Sequence, residues 1–115
     1  MTARLVTTLD HIEKRLLNQE NKELVSRFHQ FMKKNGTSER YQNNNLKTIL
    51  AYSEFLGAST PLSQVNNKEQ IIAFLDTKVK ATELDPDKRW ITTWNDYLGR
   101  IKFFSYLNKP PFDAN

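Results

Sequence analysis

Residues 85–108 predict a long helix with two chemically different faces, and this pattern constrains the fold more than any other feature of the chain. Asp85 is a suitable N-cap, and Pro86 suits the first helical position. At about 100° per residue, one face collects large apolar side chains, namely Trp90, Trp94, Tyr97, Ile101 and Phe104. Because an aromatic face of this size must be buried, other helices are expected to pack against it.

The opposite face of the same helix is basic and hydroxylated. It carries Lys88, Arg89, Thr92, Thr93, Asn95, Arg100 and Lys102. Arg and Lys neutralise phosphates while hydroxyls and amides hydrogen-bond to them, so this face is typical of a nucleic-acid-binding surface. Gly99 interrupts it at a cost of about 1 kcal/mol relative to Ala. A close neighbour would explain this glycine, and both another helix and a DNA backbone fit that role.

Helical periodicity extends through the rest of the chain. Further helices are predicted over residues 5–17, from about Glu20 to Gly36, over 38–56, and from Asn67 to near Lys80. Ser38 and Asn67 are suitable N-caps, and Gly57 is a suitable stop for the 38–56 helix. No segment alternates between apolar and polar residues over the length of a strand. The predicted fold is therefore all-α, a compact bundle of four main helices plus a short N-terminal helix.

Composition narrows the class of protein. The 115 residues suit one domain, and the absence of cysteine excludes disulfides and thiolate metal sites. The two histidines lack the spacing of paired metal ligands, and neither a glycine-rich phosphate loop nor a catalytic motif is present. We therefore expect no cofactor, no metal and no self-contained enzymatic activity. The chain has no apolar run that could span a bilayer and no secretory signal at its N-terminus, which predicts a cytoplasmic protein.

Basic residues concentrate on a second helix as well as on the last one. The net charge is +4, and residues 88–109 hold five basic residues against one acidic residue. On the 38–56 helix, the side opposite the apolar residues carries Arg40, Asn43, Asn44, Lys47 and Ala51. All of these except Asn43 recur at steps of four, three and four, and so form one ridge. The ridge predicts phosphate contacts and amide contacts to adenine edges, with a merely solvated helix face as the alternative.

Three segments together resemble the N-terminal core-binding domain of tyrosine recombinases, the phage-integrase family. They are Ser38-Glu-Arg-Tyr41, Ile49-Leu-Ala-Tyr-Ser-Glu-Phe-Leu56, and Lys88-Arg-Trp-Ile-Thr-Thr-Trp-Asn-Asp-Tyr-Leu-Gly-Arg-Ile-Lys-Phe-Phe104. The order is similar too: a capped helix, a shorter third helix, and then a hydroxyl-rich helix. The likeness is greatest to archaeal integrase-like proteins and covers about residues 18–110.

This resemblance implies a SAM-like helical bundle that grips one side of double-stranded DNA and forms a clamp with a separate catalytic domain. The two helices that face DNA in the family correspond to residues 38–56 and 86–108. Its hydroxyl and amide positions correspond to Thr92, Thr93 and Asn95, and its basic position to Arg100, with Lys102 nearby. The catalytic domain with its tyrosine nucleophile is missing, so the chain is expected to bind DNA for integration or recombination without catalysing either.

The resemblance also divides the chain and names its partners. Residues 1–17 are expected to form an N-terminal amphipathic helix, 18–109 the core-binding domain, and 110–115 the start of a linker. The expected partners are duplex DNA, a catalytic domain in cis and other recombinase protomers. The competing prediction is a helical protein–protein interaction module without DNA binding, in which the stripe Leu5, Leu9, Ile12 and Leu16 is an exposed docking surface.

Overall fold

Four of the five helices begin at a side chain that caps their first turn. The computed structural model describes residues 1–64, 67–79 and 84–107, and this part of the chain contains helices but no strand. The helices are α1 (Ala3–Arg15), α2 (Gln19–Lys34), α3 (Glu39–Leu56), α4 (Lys68–Asp76) and α5 (Trp90–Leu107), with a 3₁₀ turn at Leu62–Gln64. The caps are Thr2, Asn18, Ser38 and Asn67, each accepting a backbone N–H. The predicted all-α fold is confirmed.

The predicted bounds hold for α3 and need correction elsewhere. Gly57 follows α3 with a φ of +97°, a conformation that glycine adopts without steric cost. α4 ends at Asp76, whereas the predicted end, Lys80, lies outside the described residues. The division into four main helices and one short N-terminal helix is wrong, because α1 has 13 residues and α4 only 9. None of the helices in the described ranges is long and apolar enough to cross a membrane.

The start of α5 differs from the prediction. The helix begins at Trp90, because Lys88 adopts a φ of +53° and interrupts a helical path from Asp85. The Lys88 N–H donates to the Asp85 carbonyl at 3.0 Å, which closes a turn, and the Asp85 carboxylate accepts the Trp90 N–H at 2.9 Å. Asp85 therefore pairs with the first N–H of α5 from five residues away. The expected end at Asn108 lies outside the described residues, as does the expected linker, 110–115.

The apolar face of α5 is only partly as predicted. Ile101 and Phe104 are fully buried, but Trp90, Trp94 and Tyr97 are only half-buried. Phe103, outside the predicted stripe, packs edge-on against Phe28 of α2, with 5.1 Å between ring centroids. The apolar contact surface of α5 is therefore wider than one stripe and faces both α2 and α3.

α3 lies at the centre of the bundle and contacts the other four helices. α1 runs parallel to it, since Thr8 pairs with Asn43 and Arg15 with Glu54. α2 runs antiparallel, with Asn21 near the C-terminal end of α3 and His29 against Gln42. α5 is also antiparallel, with Phe103 beside Tyr41 and Arg100 against Thr48. Leu46, Ile49 and Tyr52 are completely buried as a result.

The hydrophobic stripe of α1 belongs to the core. Leu5, Ile12 and Leu16 are buried and Leu9 is packed against them. The Thr8 hydroxyl donates to the buried Asn43 side-chain oxygen across the α1–α3 contact. The expectation that this stripe is an exposed docking surface is therefore wrong, because the stripe covers one side of α3.

Asn21 joins α2 to the connection that follows α3. Its side chain is completely buried; its Nδ2 donates to the Thr60 carbonyl at 3.0 Å, and its Oδ1 accepts the Leu62 N–H at 2.7 Å. Leu62 is itself fully buried. The Asn21 amide thus pairs with two backbone groups of the connection between α3 and α4, and it holds the 3₁₀ turn against α2.

Replacing Asn21 is expected to destabilise the whole fold. Asn21→Ala leaves the buried Leu62 N–H and the Thr60 carbonyl without partners, and each such loss costs about 1–3 kcal/mol. We expect urea denaturation to show a free energy of unfolding lower by about 2–4 kcal/mol. Gln30→Ala, at an exposed position of the same helix, should change it by less than about 0.5 kcal/mol. Equal effects of the two substitutions would contradict this role.

His29 of α2 is buried and hydrogen-bonds to Gln42 of α3. Its Nε2 lies 3.2 Å from Gln42 Oε1, and because the Gln42 amide donates to the Thr37 carbonyl, the imidazole must be the donor. Burial lowers the pKa of His29 below its ordinary value of 6.5, opposed by the Gln42 hydrogen bond and reinforced by the nearby positive charge of Lys33. Protonating His29 is therefore less favourable in the folded chain than in the unfolded one.

The free energy of unfolding is expected to decrease as the pH is lowered, because of His29. As pH drops through about 6.5, the unfolded chain takes up the proton first, so folding free energy is lost until the pH passes the lowered pKa of the folded state. His29→Gln removes this titration and should flatten the pH dependence of the free energy of unfolding on the acid side of about pH 6.5. His11→Gln, at the exposed histidine, should preserve it. A His29→Gln protein that retains the full pH dependence would refute the assignment.

Candidate functional site

A groove of about 570 Å³ runs along the exposed side of α3, with α1 on one flank and α5 on the other. We call it the α3 groove. It is lined by Ala3, Arg4, Thr7, Thr8, His11 and Arg15 of α1, by Asn43, Asn44, Lys47, Leu50, Ala51 and Glu54 of α3, and by Tyr97 of α5. Its lining combines cations, hydroxyls and amides, which suits a polyanionic ligand better than an apolar one.

The charge of the groove is positive. Arg15 is neutralised internally, because its guanidinium contacts the Glu54 carboxylate through both Nε at 3.1 Å and Nη2 at 2.5 Å. That hydrogen bond and the charge of Glu54 raise the pKa of Arg15. Among the described residues, by contrast, Arg4 and Lys47 form no ion pair. Both cations are exposed and remain available to a phosphate.

Arg100 is held in place at the α5 edge of the groove. Its Nη1 donates to the Thr48 hydroxyl at 3.2 Å, and its guanidinium carbon lies 5.4 Å from the centroid of the Tyr97 ring. Lys78, just after α4, approaches the same ring, with its Nζ 5.1 Å from the centroid. Tyr97 thus orients two cations through cation–π contacts. The Arg100 side chain is half-buried, so its donors have a restricted direction.

Several residues predicted to bind DNA are brought together here. Arg40, Asn44 and Lys47 follow one another along the open side of α3, with Arg40 and Lys47 exposed and Asn44 half-buried. Thr93 is half-buried one turn before Tyr97, on the same side of α5. Of these residues, Asn44 and Lys47 line the α3 groove, and Arg100 lies beside Tyr97, which also lines it.

Other predicted residues either have buried side chains or lie apart from the α3 groove. Asn43 is buried and accepts the Thr8 hydroxyl, so its side chain joins α1 to α3. Lys102 is exposed but lines a different groove of about 490 Å³ between α4 and α5. Residues two apart on a helix are separated by about 200°, so Lys102 and Arg100 face opposite sides of α5. Asn95 is likewise two residues from Tyr97, about 200° around α5. Its side chain is exposed on the side that faces away from the α3 groove.

The remaining predicted residues lie at the N-terminal end of α5. Thr92 is exposed in its first turn. Lys88 and Arg89 precede the helix, since it begins at Trp90. Both are exposed, and Arg89 Nη2 lies 3.8 Å from the Asp87 carboxylate. Because neither residue belongs to the helix, a helical wheel that starts at Asp85 assigns both to the wrong positions.

Sequence reasoning missed the contribution of α1. The polar residues of that helix that line the groove are Arg4, Thr7, Thr8, His11 and Arg15, and their spacing places them on one helical face. The spacing of these polar residues was the available signal, but the apolar stripe of the same helix is the stronger pattern in the sequence. Lys78 and the exposed edge of Tyr97 carried no comparable signal in the sequence.

Among residues 1–64, 67–79 and 84–107, no group of three or more His, Asp or Glu side chains is placed to hold a metal ion. Comparisons with models of protein families, with curated proteins and with solved structures found no match. The functional interpretation therefore depends on the geometry of the α3 groove and on the sequence resemblance.

Packing within the fold does not account for Gly99. No described atom lies within 4 Å of a Cβ built at Gly99, so close packing of another helix does not explain this glycine. It also lies about 200° from Tyr97 around α5, away from the α3 groove. We expect Gly99→Ala to raise the free energy of unfolding by about 1 kcal/mol in urea denaturation. Gly57→Ala, at a φ of +97°, should lower it instead. A destabilised Gly99→Ala protein would reveal a constraint at this position.

Proposed function

We propose that this chain binds duplex DNA with the surface formed by α3 and α5, as the non-catalytic core-binding domain of a site-specific recombinase of the tyrosine family. One observation carries the proposal: Lys47 lines the α3 groove, and two cations from other segments, Arg100 and Lys78, lie against the ring of Tyr97, which lines the groove too. Lys47 comes from α3, Arg100 from α5 and Lys78 from the segment after α4. None of the three pairs with a carboxylate within the described residues.

The way Arg100 is held favours a phosphate as its ligand. A guanidinium presents its donors in a rigid planar fork that matches phosphate oxygens. The Thr48 hydrogen bond and the Tyr97 ring already restrict this fork, so binding costs less side-chain entropy than it would for a free arginine. Lys47 and Arg40, which are exposed, supply longer-range attraction to the same polyanion.

The relation between α3 and α5 also supports the recombinase assignment. The resemblance expects two particular helices to face DNA together, and these two are adjacent, antiparallel and joined through Arg100 and Thr48. We extend the proposal to the finer SAM-like arrangement of the bundle. We also propose that a catalytic domain in cis and other recombinase protomers act with this domain on DNA in the cytoplasm.

A protein-interaction module is the second candidate, and the groove between α4 and α5 favours it. That groove is largely apolar, lined by Ile71, Ile72, Trp94 and Leu98 with Lys68, Lys102, Ser105 and Tyr106. Apolar clefts of this kind accept apolar side chains of a partner. Because this groove and the α3 groove lie on different sides of α5, substitutions on each side separate the two functions.

DNA binding is expected to be weak and strongly dependent on salt. With roughly four to six phosphate contacts, the slope of log affinity against log salt should be about −4 to −5. Titration of a fluorescently labelled duplex between about 50 and 200 mM salt measures this slope. Absence of binding at the lowest salt, or binding that is indifferent to salt, would exclude the proposed function.

Lys47 and Lys102 make a matched pair for locating the surface, because both are exposed lysines on helices. Lys47→Ala should weaken binding and reduce the magnitude of the salt slope by about 0.9, the value of one phosphate contact. Lys102→Ala should leave both quantities unchanged. Thermal unfolding of both variants checks that the fold is intact. If Lys102→Ala weakens binding as much as Lys47→Ala, the α4–α5 side is part of the interface and the surface is wrongly assigned.

A further inference from the structure

The exposed ridge of α3 is recessed rather than protruding. Asn43 contacts α1 and Thr48 contacts α5, and these residues are about 140° apart around α3. Asn44 and Lys47 point into the sector between them, where both line the α3 groove. The side chains of α3 that remain accessible therefore form the floor of a channel whose walls belong to other helices.

A recessed helix cannot act as a recognition helix. The major groove of B-DNA is about 12 Å wide, which matches a single helix with its side chains. α1 and α5 flank α3 at the usual interaxial distance of about 8–10 Å, so the three helices together are far too wide to enter it. What fits the channel is a narrow convex ridge, and a sugar-phosphate backbone has that shape.

Both walls of the channel carry side chains that can contact such a ridge. The α5 wall presents Tyr97, with Arg100 oriented beside it. The α1 wall presents Arg4, Thr7 and His11, of which Arg4 carries a full positive charge and has no ion-pair partner among the described residues. Lys47 rises from α3 between them. Cations thus approach the channel from both sides and not only from the side of α5.

We infer that α1 is part of the DNA-binding surface and that Arg4 contacts a phosphate of a backbone lying in the α3 groove. This inference rests on the proposed function and deepens it, because it specifies the bound feature as the backbone instead of base edges. Phosphate contacts position a protein without reading sequence. Duplexes of unrelated sequence are therefore expected to bind this isolated domain with similar affinity.

Arg4→Ala tests the inference in the full chain. Each phosphate contact contributes about 0.9 to the salt slope, so its loss should weaken duplex binding about eightfold at 0.1 M salt and reduce the slope by about 0.9. Arg4→Lys keeps the charge and should retain most of the affinity. The control is Arg27→Ala, an exposed arginine on α2. α2 packs against α3 at Gln42, about 200° from Asn44 around the helix, so this control should change neither quantity.

The outcomes separate this inference from the proposed function. If Lys47→Ala weakens binding but Arg4→Ala does not, α1 is not part of the interface, while DNA binding through α3 and α5 stands. If Arg27→Ala weakens binding as much as Arg4→Ala, the attraction is one of overall charge and the channel is not the site. If the unmodified chain binds no duplex, both the proposed function and this inference are overturned. A strong preference for one base sequence would also overturn the backbone assignment.

Discussion

The burial of α3 on all sides but one determines where the other helices lie. Five of its buried side chains are polar: Gln42, Asn43, Asn45, Thr48 and Ser53. A buried polar group needs a hydrogen-bonding partner, and several of these partners come from a different helix each. His29 of α2 hydrogen-bonds to Gln42, Thr8 of α1 donates to Asn43, and Arg100 of α5 donates to Thr48. Each of these pairs therefore links α3 to a different neighbouring helix.

Burying polar groups along α3 has a free-energy cost. The Asn45 side-chain oxygen and the Tyr52 hydroxyl are buried with no hydrogen-bonding partner in the described part of the chain. Burial raises the pKa of Tyr52 to about 12. Its ring compensates by packing against Phe74 of α4, with 5.1 Å between the ring centroids. α4 is thus held against α3 by aromatic contact and is joined to α5 by a hydrogen bond from Trp94 Nε1 to Asp76 Oδ1 at 3.4 Å, while polar pairs join α1, α2 and α5 to α3.

Local sequence signals predicted much of the fold and less of the site. Ser38 and Gly57 marked the ends of α3 because capping depends on the residue itself. The start of α5 was misplaced because the left-handed Lys88 leaves no mark in the helical pattern. Asn43 looked solvent-facing because a polar residue is normally exposed, and only the position of Thr8, 35 residues away, reverses that expectation. The separation of Arg100 from Lys102 likewise depends on which side of α5 faces α3, which is a tertiary property.

The same burial that orders the helices also shapes the groove. With three sides covered, the open side of α3 is left between α1 and α5, so its cations lie in a channel and not on a crest. Residues along this channel differ in how much they contribute to the packing of the helices. Arg100 contributes to both packing and charge, since it is bonded to Thr48 and stacked on Tyr97. Arg4 and Lys47 are exposed and make no ion pair in the described ranges, so no salt bridge accounts for their positions. Cations without an ion-pair partner on both sides of one channel are therefore the feature on which the proposal of a polyanionic ligand rests.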